Sequence, residues 1–230
     1  MTHSSPLSAT PASTVHCKGI LFDMDGILIS SLGSVERSWH IWAVSRGIDP
    51  ALAIRTAHGR RAVETIRMLR PDLEELSELK FIEDMEIDDV DDIVVLPGVL
   101  RLLASLPPER WTVVTSATER LARVRLAQAG VQVPERIISA EMVERGKPHP
   151  DPFLRGAEIL GFPAAECVVF EDSGAGARAG NAAGCTVIAT TFSHSKKDLA
   201  AADYLITDLT QIAAQAGEDG ISLRFVALPD

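Results

Sequence analysis

The chain has 230 residues, 46% hydrophobic and 23% charged, the usage of a folded globular protein with room for one large domain or for a core and a smaller insert. With Lys and Arg at 22 against Asp and Glu at 32, the formal net charge is −10; this field repels nucleic acid and anionic lipid and favours a small-molecule partner, and an anionic one needs local positive charge from lysine, arginine or a metal ion. No apolar run approaches membrane-spanning length, the start of the chain lacks the pattern of a signal peptide, and Cys17, Cys167 and Cys185 lack the spacing of a zinc site or disulfide framework, so a cytoplasmic protein with free buried thiols is expected.

In chain order, residues 1–15 read as a loose tail, and "KGILFD" reads as a buried strand. From about Ser31 to about Glu86 the period is helical: "SVERSWHIWAVSRG", "AVETIRMLR" and "LEELSELKFIEDMEI" each place apolar residues three or four apart. Trp39 and Trp42 fall on one such stripe and are expected to pack. From "VVLPGV" onward, β-branched runs alternate with helical ones: "WTVVTS" then "ERLARVRLAQAG", "RIISA" then "DPFLRGAEILGF", "CVVFED" then "GARAGNAAG", "CTVIATT", and "ADYLIT" then "LTQIAAQ". That alternation predicts crossover units and a parallel sheet, interrupted after its first strand by a helical insert. The expected organisation is a discontinuous core, 16–32 and 96–230, around helices at 33–95. The final "EDGISLRFVALPD" is either an edge strand or an extended tail.

Polar residues stand where the apolar strands end. Asp23, Thr115 with Ser116, Ser139, and Glu171 with Asp172 all occupy carboxyl ends, the edge at which open parallel sheets bind ligands. "DMDG" at 23–26 contains ordinary turn chemistry, yet Asp23 directly follows "ILF", and a carboxylate at that depth needs a cation beside it. "FEDSG" adds two carboxylates, with Asp172 or Ser173 also able to cap the following helix. Brought together, these acids repel, and a hard divalent cation resolves the repulsion; Mg²⁺ suits few protein ligands and several waters. In "RGKPHPDPF", Lys147 on a proline-stiffened loop is either a solvated surface residue or the compact positive charge an anionic substrate needs. In "VVTSAT", Ser116 is a candidate donor to a phosphate oxygen and Thr118 a helix cap.

These four motifs, "DMDG", "VVTSA", "GKPHPDP" and "FEDS", stand in the order in which the haloacid-dehalogenase-like phosphohydrolases carry theirs, and the chain resembles that family from about Lys18 to about Asp208. The stretch 145–185 is similar to its sugar- and polyol-phosphate phosphatases, of the β-phosphoglucomutase-like kind with a helical cap. The resemblance implies an α/β fold, a Rossmann-like parallel core with an inserted all-helical cap. It also implies Mg²⁺-dependent hydrolysis of a small sugar or polyol phosphate through an aspartyl-phosphate. Asp23 would be the nucleophile and Asp25 the acid and base. Ser116, Lys147 and Gly26 would attend the phosphate; Asp172, with Asp23 and the Asp25 carbonyl, would hold the metal, and Glu171 would act nearby through water. In "AHGRR", at the position of the family's specificity loop, His58, Arg60 and Arg61 are candidates for the substrate, and Arg60 is preferred.

Two positions depart from the family pattern: Ile27 replaces threonine or valine, with a methylene that crowds the phosphate pocket or hinge, and Ser30 replaces aspartate, with a helix cap as its expected role. The alternatives to a phosphatase are a phosphosugar mutase and a non-catalytic sugar-phosphate binding protein, whereas a dehalogenase needs neither Mg²⁺ nor an acid at Asp25. A monomer is expected, with a dimer as the alternative.

Overall fold

A computed structural model describes residues 12–229. Its centre is a parallel five-stranded sheet in the order β5-β2-β6-β7-β8: β2 (Gly19–Phe22), β5 (Trp111–Val113), β6 (Cys167–Glu171), β7 (Thr186–Thr190) and β8 (Tyr204–Ile206). β2, β5 and β6 are buried at every position, which is why they read as continuous apolar runs. Successive side chains enter opposite layers. Ile20 and Phe22 join a cluster with Leu102, Leu103 and Leu126, from α5 (Val99–Ala104) and α6 (Glu119–Gln128), whereas Leu21 joins one with Phe153, Ala157 and Ala177, from α7 (Asp151–Leu160) and α8 (Gly174–Ala182). Cys17, Cys167 and Cys185 are free and buried, and burial pushes their thiols up to about 12, 11 and 12.

The chain leaves this core through β3 (Ile29–Ser30) and returns through β4 (Val94–Val95), which pair antiparallel. Between them lie only helices: α1 (Leu32–Ser45), α2 (Pro50–Ala57), α3 (Ala62–Leu69) and α4 (Glu75–Asp88). Asp49 caps α2 by accepting from the Ala51 amide at 3.0 Å, and Glu74 caps α4 through Leu76 and Ser77. The two tryptophans pack edge to face at 5.2 Å within a cluster of Ala43, Ala53, Ile66 and Ile82. The architecture is therefore the expected α/β one, a parallel core with an all-helical insertion.

Several expectations need correction. Residues 1–11 of the expected tail lie outside the described residues, but Ser13–Cys17 form β1, which pairs with β10 (Gly220–Phe225). The stretch "LTQIAAQ" is not a helix: after one 3₁₀ turn at Leu209–Gln211 it becomes β9 (Ala213–Gly217), joined to β10 by a two-residue hairpin at Glu218 and Asp219. Pairing with β10 overrides the helix preference of alanine, and β10 itself alternates, burying Ile221, Leu223 and Phe225. The last segment is thus the central strand of a three-stranded antiparallel sheet, β1-β10-β9. "RIISA" contributes only a single bridge, Ile138 to Val114. Among the described residues, no helix is long and apolar enough to cross a membrane.

Candidate active site

Because β5, β2 and β6 are parallel neighbours, their carboxyl ends deliver Val114–Ser116, Asp23 and Glu171–Asp172 to one rim. The Asp23 amide is still in the sheet, donating to the Phe170 carbonyl at 2.9 Å, while the residue as a whole is 8% exposed. Lys147, 3% exposed, is no surface lysine. Its ammonium donates to Asp23 Oδ1 at 2.6 Å, Glu171 Oε1 at 2.7 Å and the Val114 carbonyl at 3.2 Å, so all three donors are used. The other Glu171 oxygen accepts the amides of Asp172 and Ser173, each at 2.8 Å. Ser173, not Asp172, caps α8, accepting from the Gly176 amide at 3.0 Å.

Gly26 turns the chain with φ +85°, and a Cβ there would overlap the Asp172 carboxylate. Glycine thus lets Asp172 close on the loop that carries Asp23 and Asp25. Ser193, after β7, donates to Asp172 Oδ2. Asp23, Glu171 and Asp172 bring oxygens within 4.8 Å of one another, all from buried residues. Burial pushes Asp23 up to about 7, with the Lys147 charge pulling it back. Asp172 is pushed well above the usual carboxylate range by burial and then by the charges of Glu171 and Asp23. Burial alone would lower Lys147, but the charges of Asp23 and Glu171 carry it above the ordinary lysine value. Three carboxylates cluster around one ammonium that bonds only two of them, and the donors left over are hard oxygens, so the set fits a divalent cation of the Mg²⁺ type.

Asp25, half-buried, lies at the rim, and its Oδ1 accepts from Ser31 Oγ and, at 3.1 Å, from Arg125 Nη1. Beyond it a cavity of about 150 Å³ separates the rim from α1–α4, with Leu32, Val35, Trp39, Leu79 and Ile82 as its apolar wall. That is the scale of a cavity that admits one six-carbon ring, a size that suits a small molecule. Ser116 lines it, half-buried, whereas the neighbouring Thr115 hydroxyl accepts from the Ala117 amide at 3.0 Å. Thr118 caps α6 as expected, accepting from Leu121 at 3.3 Å.

From the loop between α2 and α3, exposed Arg60 lines the cavity together with half-buried His58, whose imidazole is lowered chiefly by burial and whose Nε2 has no hydrogen-bond partner among the described residues. Arg61 also lines the cavity, but its guanidinium donates to the carbonyls of Ala140, Val143 and Glu144, at 3.2, 3.0 and 3.1 Å, and ties the helices to the core. Ile27, 1% exposed, belongs to the main core cluster and does not crowd the cavity. Ser30 caps nothing, since it pairs with Val94 in β3; Ser31 precedes α1 and gives its hydroxyl to Asp25.

Sequence reasoning missed Ser31, Glu86, Arg125 and Ser193. Ser193 follows a strand end, the same signal that marked Asp23, and could have been found. Arg125 is a charge on an otherwise apolar stripe of α6, with Leu121, Ala122 and Leu126.

The sequence model of the haloacid dehalogenase-like hydrolases matches residues 17–184. The chain is 38% identical over 211 residues to hexitol phosphatase A of Escherichia coli (strain K12), covering 90% of this chain and 98% of that one. It is 35% identical over 186 residues to glycerol-1-phosphate phosphohydrolase 2 of Saccharomyces cerevisiae, covering 75% and 74%. A solved β-phosphoglucomutase from Clostridium difficile shares the fold, with a TM-score of 0.74 at 20% identity over 85% of this chain and 92% of that one. The chain belongs to the haloacid dehalogenase-like hydrolases.

Proposed function

We propose that this chain is a phosphatase of small sugar or polyol phosphates in which Asp23 attacks phosphorus. The observation that carries the reading is a buried carboxylate at a parallel-strand end, bonded to a buried lysine that also holds Glu171, beneath a cavity with a second carboxylate, Asp25, at its rim. The printed names of two relatives, hexitol phosphatase A and glycerol-1-phosphate phosphohydrolase 2, support the substrate class, as does the small cavity.

An Asp23 oxygen bonds to phosphorus as the bond to the alcohol oxygen breaks, and Asp25 gives that oxygen its proton. Water then attacks the aspartyl-phosphate with Asp25 taking its proton, which releases inorganic phosphate and restores Asp23. Ser116 holds a phosphoryl oxygen, and Lys147 gives up one of its present partners to hold another and neutralise its charge, because charge on those oxygens is what a phosphoryl-transfer site must neutralise. Asp23, Asp172 and the Asp25 carbonyl would hold Mg²⁺, with Glu171 behind them; when bound, the ion supplies positive charge to the phosphoryl oxygens. Residues 33–95 act as the cap over this rim, and Arg60 meets the leaving group.

The test is phosphate release from a panel of sugar, polyol and glycolytic phosphates, with and without Mg²⁺, by the parent and by Asp23→Asn. The expected loss in the variant is roughly a thousandfold or more. Equal rates would sink the assignment of the nucleophile.

A further inference from the structure

Arg125 is 3% exposed, and a buried guanidinium has five N–H donors to satisfy. Among the described residues, only Nη1 is satisfied, by Asp25 at 3.1 Å; Nε and Nη2 are buried without a hydrogen-bond partner there. The carboxylate of Glu86, on α4, is 3.5 Å from Nη2, at the limit of hydrogen-bond reach. Glu86 is itself 5% exposed and makes no hydrogen bond among the described residues; burial pushes its carboxyl up to about 7, with Arg125 opposing. Both residues line the cavity, one from the core and one from the helical layer. For folding alone this is a poor arrangement, since unpaired buried donors cost stability and an apolar pair would serve better.

A ligand hydroxyl completes it. Its oxygen accepts from the free guanidinium N–H groups while its O–H donates a hydrogen bond to a Glu86 oxygen, so one group satisfies both side chains. A carboxylate or fully ionised second phosphate does not, because it accepts from Arg125 but has no O–H to donate to Glu86. The free nitrogens belong to the guanidinium that holds Asp25, so the hydroxyl they meet lies close to the oxygen that Asp25 protonates.

We propose that Arg125 and Glu86 form a hydroxyl-binding subsite that takes a free hydroxyl of the leaving alcohol, on the carbon next to the phosphorylated one. The subsite rests on the phosphatase reading above and narrows its substrate to phosphate esters of polyhydroxylated, uncharged alcohols.

The experiment compares kcat/KM for glycerol 1-phosphate and 1,3-propanediol monophosphate, which differ only in that hydroxyl, with glucitol 6-phosphate and its 5-deoxy analogue in parallel. The parent should favour the hydroxylated member of a pair roughly 10- to 100-fold. Arg125→Met should bring the ratio to within about threefold, because the hydroxyl loses its donor. Glu86→Leu should do the same and guards against misfolding of the first variant, since it exchanges a buried acid for an apolar side chain of similar size. Hydrolysis by the parent with no preference overturns the subsite alone. So does an equal loss on both members with the ratio kept, which makes Arg125 only a support for Asp25. No phosphate from any substrate in the presence of Mg²⁺ overturns the phosphatase reading and the subsite with it.

Discussion

The sheet rim and the interior of the helical layer treat charge differently. On the sheet rim, Lys147 is wedged between Asp23 and Glu171, and Asp172 lies beside them, so three acids cluster around one base. In the helical layer the central acid, Glu78, is matched: Arg46 donates to both of its oxygens at 2.8 and 2.9 Å, and the Trp42 indole adds a bond at 2.7 Å. The rim is short of positive charge, whereas the helical layer around Glu78 is not. The shortage marks where a cation and a phosphate can be recruited, and the matched cluster is structure that holds the helices in place.

The sharpest way to break this contrast is Lys147→Met. It strands Asp23 and Glu171 as buried carboxylates, and removing one partner of a buried pair costs about 3–5 kcal/mol. Urea unfolding of metal-free protein should show that loss, and phosphate release should fall to background. Added Mg²⁺ should restore part of the stability, because it replaces the missing charge and binds only the folded chain. An unchanged unfolding midpoint would mean that the rim is not short of positive charge.

A smaller effect is expected from Gly26→Ala, which places a methyl group against the Asp172 carboxylate at a backbone angle that L-residues avoid. With Asp172 pushed back, the Mg²⁺ concentration for half-maximal activity should rise by roughly tenfold or more, in line with losses on disturbing the support of a metal ligand. Titration of activity against Mg²⁺ reads this directly. A variant with an unchanged requirement would remove Asp172 from the ligand set.

What the sequence disclosed follows the same division. Asp23 and Glu171 were legible because each directly follows an apolar run, with Asp172 next in line, and in a parallel sheet that position alone fixes the edge on which a side chain emerges. Lys147 was legible as a type of residue, but its burial was not, since nothing local in "RGKPHPDPF" records a strand end 33 residues earlier at Val114. β1 was lost for a similar reason: Cys17 pairs with Ile221, at the far end of the chain. "LTQIAAQ" misled because alanine favours helices until a strand partner intervenes. Arg125 was absorbed into a helical pattern, where a charged residue reads as solvent-facing until tertiary packing buries it.

The smallest effect is expected in the helical layer, at Glu78. Hydrogen bonds from Arg46, then Trp42, hold its carboxyl below the usual glutamate value despite burial. A folded-state value below the unfolded one means that the group's stabilisation is complete above the unfolded value, about 4.3, and is lost as pH falls through the lower folded value. Glu78→Gln should therefore cost about 1–2 kcal/mol at pH 7, the worth of a charge-assisted bond, and the gap between parent and variant should close on acidification below about pH 4. The difference between the two unfolding curves isolates Glu78 from the other acids, which titrate in both proteins. Phosphate release at pH 7 should stay within about twofold of the parent, because a matched charge in this layer holds the helices in place and takes no part in the chemistry. A large loss of rate with little loss of stability would reverse the contrast, making Glu78 part of the chemistry that the rim is held to perform alone.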